Sequence, residues 1–251
     1  MRHDLDVMST RLFVSGALIN GAAIEVEGDR ARYLGRVLRA RTGDRIAVFD
    51  GEGLECAATI ERIQKHTVTL RIGEAVEMHT ESPLGIHLVQ GISRGDRMDF
   101  VVQKATELGV SRITPVLTEY GVVRLESRRA AKRREHWQQV AISACEQCGR
   151  ARLPLIDEPV PLRNWLGDKP ADADAELVLA PGAAEPLARI AAPGKLVRVL
   201  IGPEGGLSGQ EYDNAAMAGF RAVSVGPRIL RTETAAVAVL GILQSRWGDL
   251  A

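Results

Sequence analysis

Apolar residues recur along this chain with two different periods, and the change from one to the other divides it. Up to about residue 80 they come in short, β-branched runs, 46–50, 54–63 and 67–72, after an opening run near 12–14. Runs of that length bounded by turn residues predict strands. Asp50-Gly51-Glu52-Gly53 between the first two supplies the glycines of a hairpin turn. A short helix is expected over 29–38, where Tyr33 with Val37 and Leu34 with Leu38 fall on one side. Glu81-Ser82-Pro83 breaks the pattern and sets the expected boundary between a unit 1–80 and a unit 81–251. Beyond it strand and helix alternate: strands at 86–92, 113–117, 177–180, 196–201 and 222–225, and helices at 97–108, 130–147, 186–191, 210–219 and 233–247. Such alternation predicts an α/β fold, a parallel sheet with helices on both faces.

Two glycine-bearing turns stand out against this frame. Ile201-Gly202-Pro203-Glu204-Gly205-Gly206 follows one expected strand, and Gly226-Pro227-Arg228-Ile229-Leu230-Arg231-Thr232-Glu233 follows another. Ligands of open α/β sheets bind at the carboxyl ends of strands, and glycine lets backbone groups approach a ligand with no Cβ in the way. Neither turn has the Gly-Lys-Ser/Thr ending of a phosphate loop or the G-x-G-x-x-G spacing of a dinucleotide fold. Pyrophosphate is therefore disfavoured. A neutral or cationic ligand with an adenine-like edge suits main-chain groups flanked by Ile201, Ile229 and Leu230. Ser208-Gly209-Gln210-Glu211 has capping-box spacing, which starts a helix just after the first turn.

Composition narrows the class. The chain has 251 residues, 45% hydrophobic and 25% charged, with a formal net charge of zero, as expected of a globular protein. No run of about 18 apolar residues predicts a membrane span, the N-terminus is too polar for a signal peptide, and the expectation is a cytoplasmic enzyme. The zero net charge hides clusters: Arg30, Arg32, Arg36, Arg39, Arg41 and Arg45, and again Arg124, Arg128, Arg129, Lys132, Arg133 and Arg134. Either suits phosphates, and the second suits a solvated helix face equally well. Cys145-x-x-Cys148 lacks a second ligand pair and falls late in a helical pattern, so helix packing is expected rather than zinc or redox chemistry, and no metal is expected. The five histidines have no nucleophile motif beside them.

Taken together, the two turns resemble those of the RsmE-type ribosomal RNA methyltransferases of the SPOUT superfamily. Further matching stretches are Gly35-Arg36-Val37-Leu38-Arg39, Arg97-Met98-Asp99-Phe100, Gln103-Lys104-Ala105-Thr106-Glu107-Leu108-Gly109, Ile113-Thr114-Pro115 and Ala144-Cys145-Glu146-Gln147-Cys148-Gly149-Arg150, in the same order. Only the first ten residues and about 160–174 lie outside the match. The resemblance implies an N-terminal PUA-like β-barrel and a C-terminal SPOUT α/β domain with a trefoil knot. It implies S-adenosyl-L-methionine as cofactor, held by Leu179, Ala180, Ile201, Gly202, Pro203, Glu204, Gly205, Val225, Gly226, Arg228, Ile229 and Leu230. The implied reaction is methylation of uridine N3 in small-subunit (16S) ribosomal RNA within the small subunit. Arg231 is the candidate to stabilise the uridine anion and Glu233 to take its proton or orient Arg231. Glu233 also suits the positive end of the helix that it opens, with Thr232 as cap. Arg32, Arg36 and Arg39 are the candidate RNA contacts. A homodimer is implied, for which 235–243, with Val237, Leu240 and Ile242, offers a surface. The alternatives are methylation of another atom, such as a ribose 2′-oxygen, and a non-catalytic RNA-binding protein.

Overall fold

The computed structural model describes residues 10–32, 34–35, 40–121 and 127–250. The chain divides into two compact units, one of Met1–Glu81 with Cys145–Leu153 and one of Ser82–Ala144 with Pro154–Ala251.

In the first unit β1 (Arg11–Phe13), β2 (Ala23–Glu27), β3 (Arg45–Phe49), β4 (Leu54–Ile63), β5 (Thr67–Ile72) and β6 (Val76–Glu77) form one sheet of order β1-β3-β4-β5-β2, with β6 beside β4. Alternation sends Ile46, Val48, Ala58, Ile60, Val68 and Leu70 into a core that also buries Leu34. Gly51 and Gly53 take φ +80° and +114° at the expected hairpin turn, a conformation that side chains with a Cβ resist. β2 was not predicted: only Ile24 and Val26 mark it locally, and its identity as a strand comes from antiparallel pairing with β5, Val26 opposite Val68. Where a helix is expected over 29–38, α1 (Gly28–Arg32) begins one residue earlier and 34–35 are also helical, and 33 and 36–39 lie outside the described residues.

Nine residues from later in the chain, Cys145–Leu153, complete this unit. Arg11 is bidentate to Glu55 at 3.2 and 2.5 Å and also donates to the Cys145 carbonyl at 2.5 Å. The Phe13 N–H donates to Glu146 at 3.0 Å, and Arg150 pairs with Glu81 at 2.5 Å. Cys145 packs with Phe49 and Ala151, which is helix-end packing.

The second unit is the α/β fold. β7 (Gly85–Gly91), β8 (Arg112–Leu117), β9 (Leu155–Ile156), β10 (Val160–Pro161), β11 (Ala175–Leu179), β12 (Leu196–Ile201) and β13 (Arg221–Val223) form a seven-stranded sheet of order β10-β8-β7-β12-β11-β13, with β9 beside β8. Every pairing in it is parallel. The helices are α2 (Arg97–Glu107), α3 (Ser127–Cys148), α4 (Leu162–Asp168), α5 (Gly209–Met217) and α6 (Thr232–Trp247). Period two along β12 sorts the layers: Val197, Val199 and Ile201 join a core with Met98, Val101, Val239 and Leu240 of α2 and α6, and Leu200 joins one with Trp165, Leu166 and Ala215 of α4 and α5. Among the described residues no helix is long and apolar enough to cross a membrane.

Two expectations fail here. Residues 186–191 form only a 3-10 turn, Leu187–Arg189. Pro186 is extended and Pro193 follows closely, so no α-helical hydrogen-bond ladder can establish itself between them. Conversely, α4 forms in a stretch for which no element was predicted, burying Leu162, Trp165 and Leu166, an i, i+3, i+4 set too short to register as a period.

The same alternation that fills the second core buries charge in it. Arg198 of β12 is fully buried, opposite His87 of β7 in register. It pairs with Glu176 and with Asp172, its Nε donates to His87 Nδ1 at 3.2 Å, and it lies 5.7 Å from the Trp165 ring. A guanidinium only donates, so His87 Nδ1 must accept. The proton therefore sits on Nε2, which donates to Thr114 Oγ1 at 2.7 Å, and the Thr114 hydroxyl donates to Asp157. Burial first, then the charges of Arg198 and Arg112, lower the His87 pKa to about 4.

Candidate active site

The loops after β11, β12 and β13 meet at the carboxyl ends of three adjacent parallel strands around a cavity of about 390 Å³. Leu179, Ala180 and Pro181 come from the first loop, Ile201, Gly202, Pro203, Glu204 and Gly206 from the second, and Ser224, Val225, Gly226, Arg228, Ile229 and Leu230 from the third. Arg231, Thr232, Glu233 and Ala235 of the α6 start, Tyr212 of α5 and Arg97 of α2 complete the wall.

Short-range packing sets the shape of the second loop. A Cβ on Gly91, at the end of β7, would fall 2.5 Å from the Pro203 nitrogen and Cδ, so glycine there lets the Gly202-Pro203 turn cross the strand end. A Cβ on Gly202 would meet backbone of Gly206 and Leu207 at 3.0–3.2 Å. The loop closes on itself, with the Gly206 N–H donating to Pro203 O at 2.9 Å and Gly206 at φ +73°. The capping box then starts α5: Ser208 accepts from the Glu211 N–H at 3.2 Å, and Glu211 accepts from the Ser208 N–H at 2.8 Å.

Polar and charged groups of the lining are tied to their neighbours. Glu204 accepts from the Arg94 N–H at 3.0 Å and pairs with Arg97 at 2.6 Å. Partial burial works against its ionised form, but hydrogen bonds from its own N–H, the Arg94 N–H and the Arg97 guanidinium outweigh that and hold the carboxyl below its ordinary range. Thr232 is buried and donates to Gly202 O at 2.7 Å while accepting from Gln90 Nε2 at 2.9 Å. This ties the α6 start to the β12 loop. Thr232 is thus the first residue of α6, with Arg231 at the N-cap position and making no side-chain cap; the expected threonine cap is replaced by this cross-link. Glu233 Oε2 is buried with no hydrogen-bond partner among the described residues.

Of the residues expected at a cofactor, only Gly205 is absent from the cavity wall; its α-carbon backs onto Tyr120, whose Cβ would be 2.9 Å from a Cβ placed there. Arg231 and Glu233 lie in the same wall. Arg32 is exposed on α1, and Arg36 and Arg39 lie outside the described residues. Arg97, Tyr212, Ser224 and Thr232 were not anticipated as lining. Arg97 and Thr232 sit inside motifs noticed in the sequence, whereas nothing local marks Tyr212, which reaches the site because its hydroxyl donates to Leu179 O at 3.3 Å. Val237 and Ile242 of α6 are half-buried, and Leu240 is fully buried within the unit's own core, so it is not available as surface.

Residues 80–244 match the RNA methyltransferase domain family, and residues 26–73 match the RNA methyltransferase PUA domain. Ribosomal RNA small subunit methyltransferase E of Buchnera aphidicola from Schizaphis graminum is 34% identical over 96% of this chain and 97% of its own. Among solved structures, ribosomal RNA small subunit methyltransferase E from Neisseria gonorrhoeae, bound to S-adenosyl methionine, superposes with a TM-score of 0.88 at 39% identity, over 96% of this chain and 99% of its own. A Legionella pneumophila protein solved with the cofactor SAM superposes with a TM-score of 0.92, also at 39% identity, over 97% of this chain and 100% of its own. With a PUA domain, an all-parallel α/β domain and similarity along almost its whole length, the chain belongs to the ribosomal RNA small subunit methyltransferase E family.

Proposed function

We propose that this protein transfers a methyl group from S-adenosylmethionine to N3 of one uridine in small-subunit ribosomal RNA, acting in the cytoplasm as a homodimer on the small subunit. The observation that carries the reading is the cavity itself: backbone from three Gly- and Pro-bearing loops, apolar walls from Ile201, Val225 and Leu230, and Arg231 and Glu233 on one side. These residues fit the cofactor. Main-chain N–H and C=O groups of the loops suit an adenine edge, no phosphate-binding motif is present, and the Glu204 carboxylate suits a ligand with cationic groups. When bound, S-adenosylmethionine supplies an electrophilic methyl group on a sulfonium.

The protein's own work is positioning and charge. Uridine N3 carries a proton at neutral pH, so it becomes nucleophilic only as that proton leaves. Arg231 stabilises the anion that forms, and Glu233, with a buried oxygen that has no other partner among the described residues, takes the proton or holds the guanidinium. Thr232 between them, bonded to Gly202 O, keeps both in register with the cofactor loop. Holding donor and acceptor in line with water excluded is itself a large part of such a rate enhancement. The trefoil knot and the boundary of the RNA-gripping domain near residue 80 belong to the same proposal. In support of the knot, the chain leaves the edge strand β13 and returns past β12 to pack α6 on α2.

Mass spectrometry of small-subunit RNA from cells lacking the protein tests the reading. The expected result is loss of one 3-methyluridine, restored by the purified protein with S-adenosylmethionine and no added metal. Loss of a ribose 2′-O-methyl group instead would reassign the acceptor, and an unchanged RNA would remove the enzymatic reading.

A further inference from the structure

The loop between β13 and α6 ends in Arg228-Ile229-Leu230-Arg231, and these four side chains part company. Leu230 packs against the main core of the second unit. Ile229, next to it, is 85% exposed, more than any other large hydrophobic side chain among the described residues. Arg228 and Arg231 on either side are exposed too, with no acidic partner among the described residues. All four border the cavity.

A side chain that merely faces a cavity keeps its remaining sides against protein. Ile201, at 3% exposure, and Leu230 and Val225, half-buried, do so. Ile229 does not, and an isoleucine left in water forgoes the stabilisation that burial of its side chain would bring. Something wider than the ligand of the cavity is needed to cover it. On the reading proposed above, on which this inference rests, the substrate is a base within a folded RNA, and its N3 cannot reach a methyl donor held in the cavity while the base is stacked and paired. Enzymes that act on bases extrude them, and proteins that open a base step fill the gap with an apolar side chain.

We infer that Ile229 is that wedge. It enters the stack beside the target uridine as the base turns into the cavity, and Arg228 holds an adjacent phosphate. Arg231 remains with the uracil ring. Ile229 thus belongs to the RNA side of the site, not to the adenine wall that the sequence resemblance implies for it.

The test uses the full-length protein. The uridine is first located in small-subunit RNA methylated by the wild-type protein, and an oligonucleotide of that sequence is made with 2-aminopurine beside it, either annealed to a complement or single-stranded. Wild-type protein should raise the 2-aminopurine fluorescence of the annealed strand. Ile229→Ala should abolish that rise and lower kcat/KM on the annealed strand by roughly tenfold to a hundredfold, the size of an unstacking penalty that is no longer compensated. The loss on the single strand should be several-fold smaller, S-adenosylmethionine affinity by calorimetry should match wild type, and Ile229→Leu should recover the fluorescence rise. A parallel fall in cofactor affinity would put Ile229 on the adenine and overturn the wedge. So would equal losses on both strands, or none. Wild-type protein that methylates no RNA would remove the parent reading and the wedge with it, an outcome visible before any variant is made.

Discussion

Arg231, Thr232 and Glu233 are consecutive, yet each faces a different task. Arg231 precedes α6 and is exposed, Thr232 is buried in a cross-link to Gly202, and Glu233 has a buried oxygen without a partner among the described residues. If Arg231 stabilises charge that appears only in the transition state, Arg231→Ala should lower the single-turnover rate of methylation roughly a hundredfold or more and leave S-adenosylmethionine affinity nearly unchanged. Arg231→Lys should recover only part, since an ammonium cannot reproduce the planar fork of donors. An unchanged rate in the alanine variant would make Arg231 structural. Thr232 separates differently. Thr232→Val is close in shape but neither donates to Gly202 O nor accepts from Gln90, whose amide then keeps only its bond to Gly91 O, and a buried polar group left without its partner costs about 1–3 kcal/mol. Cofactor binding should weaken and the melting temperature fall, whereas Thr232→Ser should restore both. The two motifs that carry these residues were legible in the sequence. The cross-link was not, because Gln90 lies on another strand and only the parallel pairing of β7 with β12 brings its end beside Gly202.

At the level of elements, what could be read locally was read. The capping box at Ser208 and Glu211 is present as spelled, and Ser208→Ala should cost about 1 kcal/mol in urea unfolding. What sequence reasoning missed depends on partners far along the chain: β2 on β5, α4 on the sheet, and the polar cluster beneath α4. Nothing local marks Arg198, inside the expected strand 196–201, or His87, one of five histidines without a motif beside them, as members of one cluster. They meet because β7 and β12 are neighbours in a sheet covered on both faces, where the side chains from Val197 to Ile201 and from Ile86 to Gln90 are all buried. The consequence is measurable. His87 is held neutral with a pKa near 4, against 6.5 for the free group. Above pH 6.5 neither the folded nor the unfolded chain protonates it. Between 6.5 and 4 the unfolded chain binds a proton that the folded one refuses, so stability falls with pH, by at most about 1.4 kcal/mol per unit from this one group, and the loss levels off below 4. The carboxylates with depressed pKa values, Asp172, Asp174 and Glu204, add their losses lower, as pH falls past their ordinary 3.8 to 4.5. Urea unfolding between pH 7.5 and 5 should therefore show a decline that His87→Gln flattens. Equal slopes in the two proteins would mean that the buried imidazole accepts its proton readily.

For the whole molecule, catalysis and grip should separate, because the residues proposed for each come from different parts of the chain. The cavity is built entirely by the second unit, whereas the arginines at 32, 36 and 39 belong to the region of the PUA family match, 26–73. A net charge of zero gives the protein no overall attraction for RNA, so affinity must come from local clusters. Each phosphate neutralised by such a cluster releases counterions, which makes log affinity fall linearly with log salt, by about 0.7 to 0.9 per contact. Replacing Arg32, Arg36 and Arg39 together by Ala should therefore weaken binding to small-subunit RNA and reduce that slope by about two to three, while S-adenosylmethionine affinity, measured by calorimetry on the same preparation, stays at the wild-type value. A retained slope would mean that the three arginines form a solvated face and that another cluster, such as the one at 128–134, meets the phosphates. A cofactor affinity that fell along with RNA binding would mean that the N-terminal arginines act through the fold of the catalytic unit, and the division of labour between the two units would have to be abandoned.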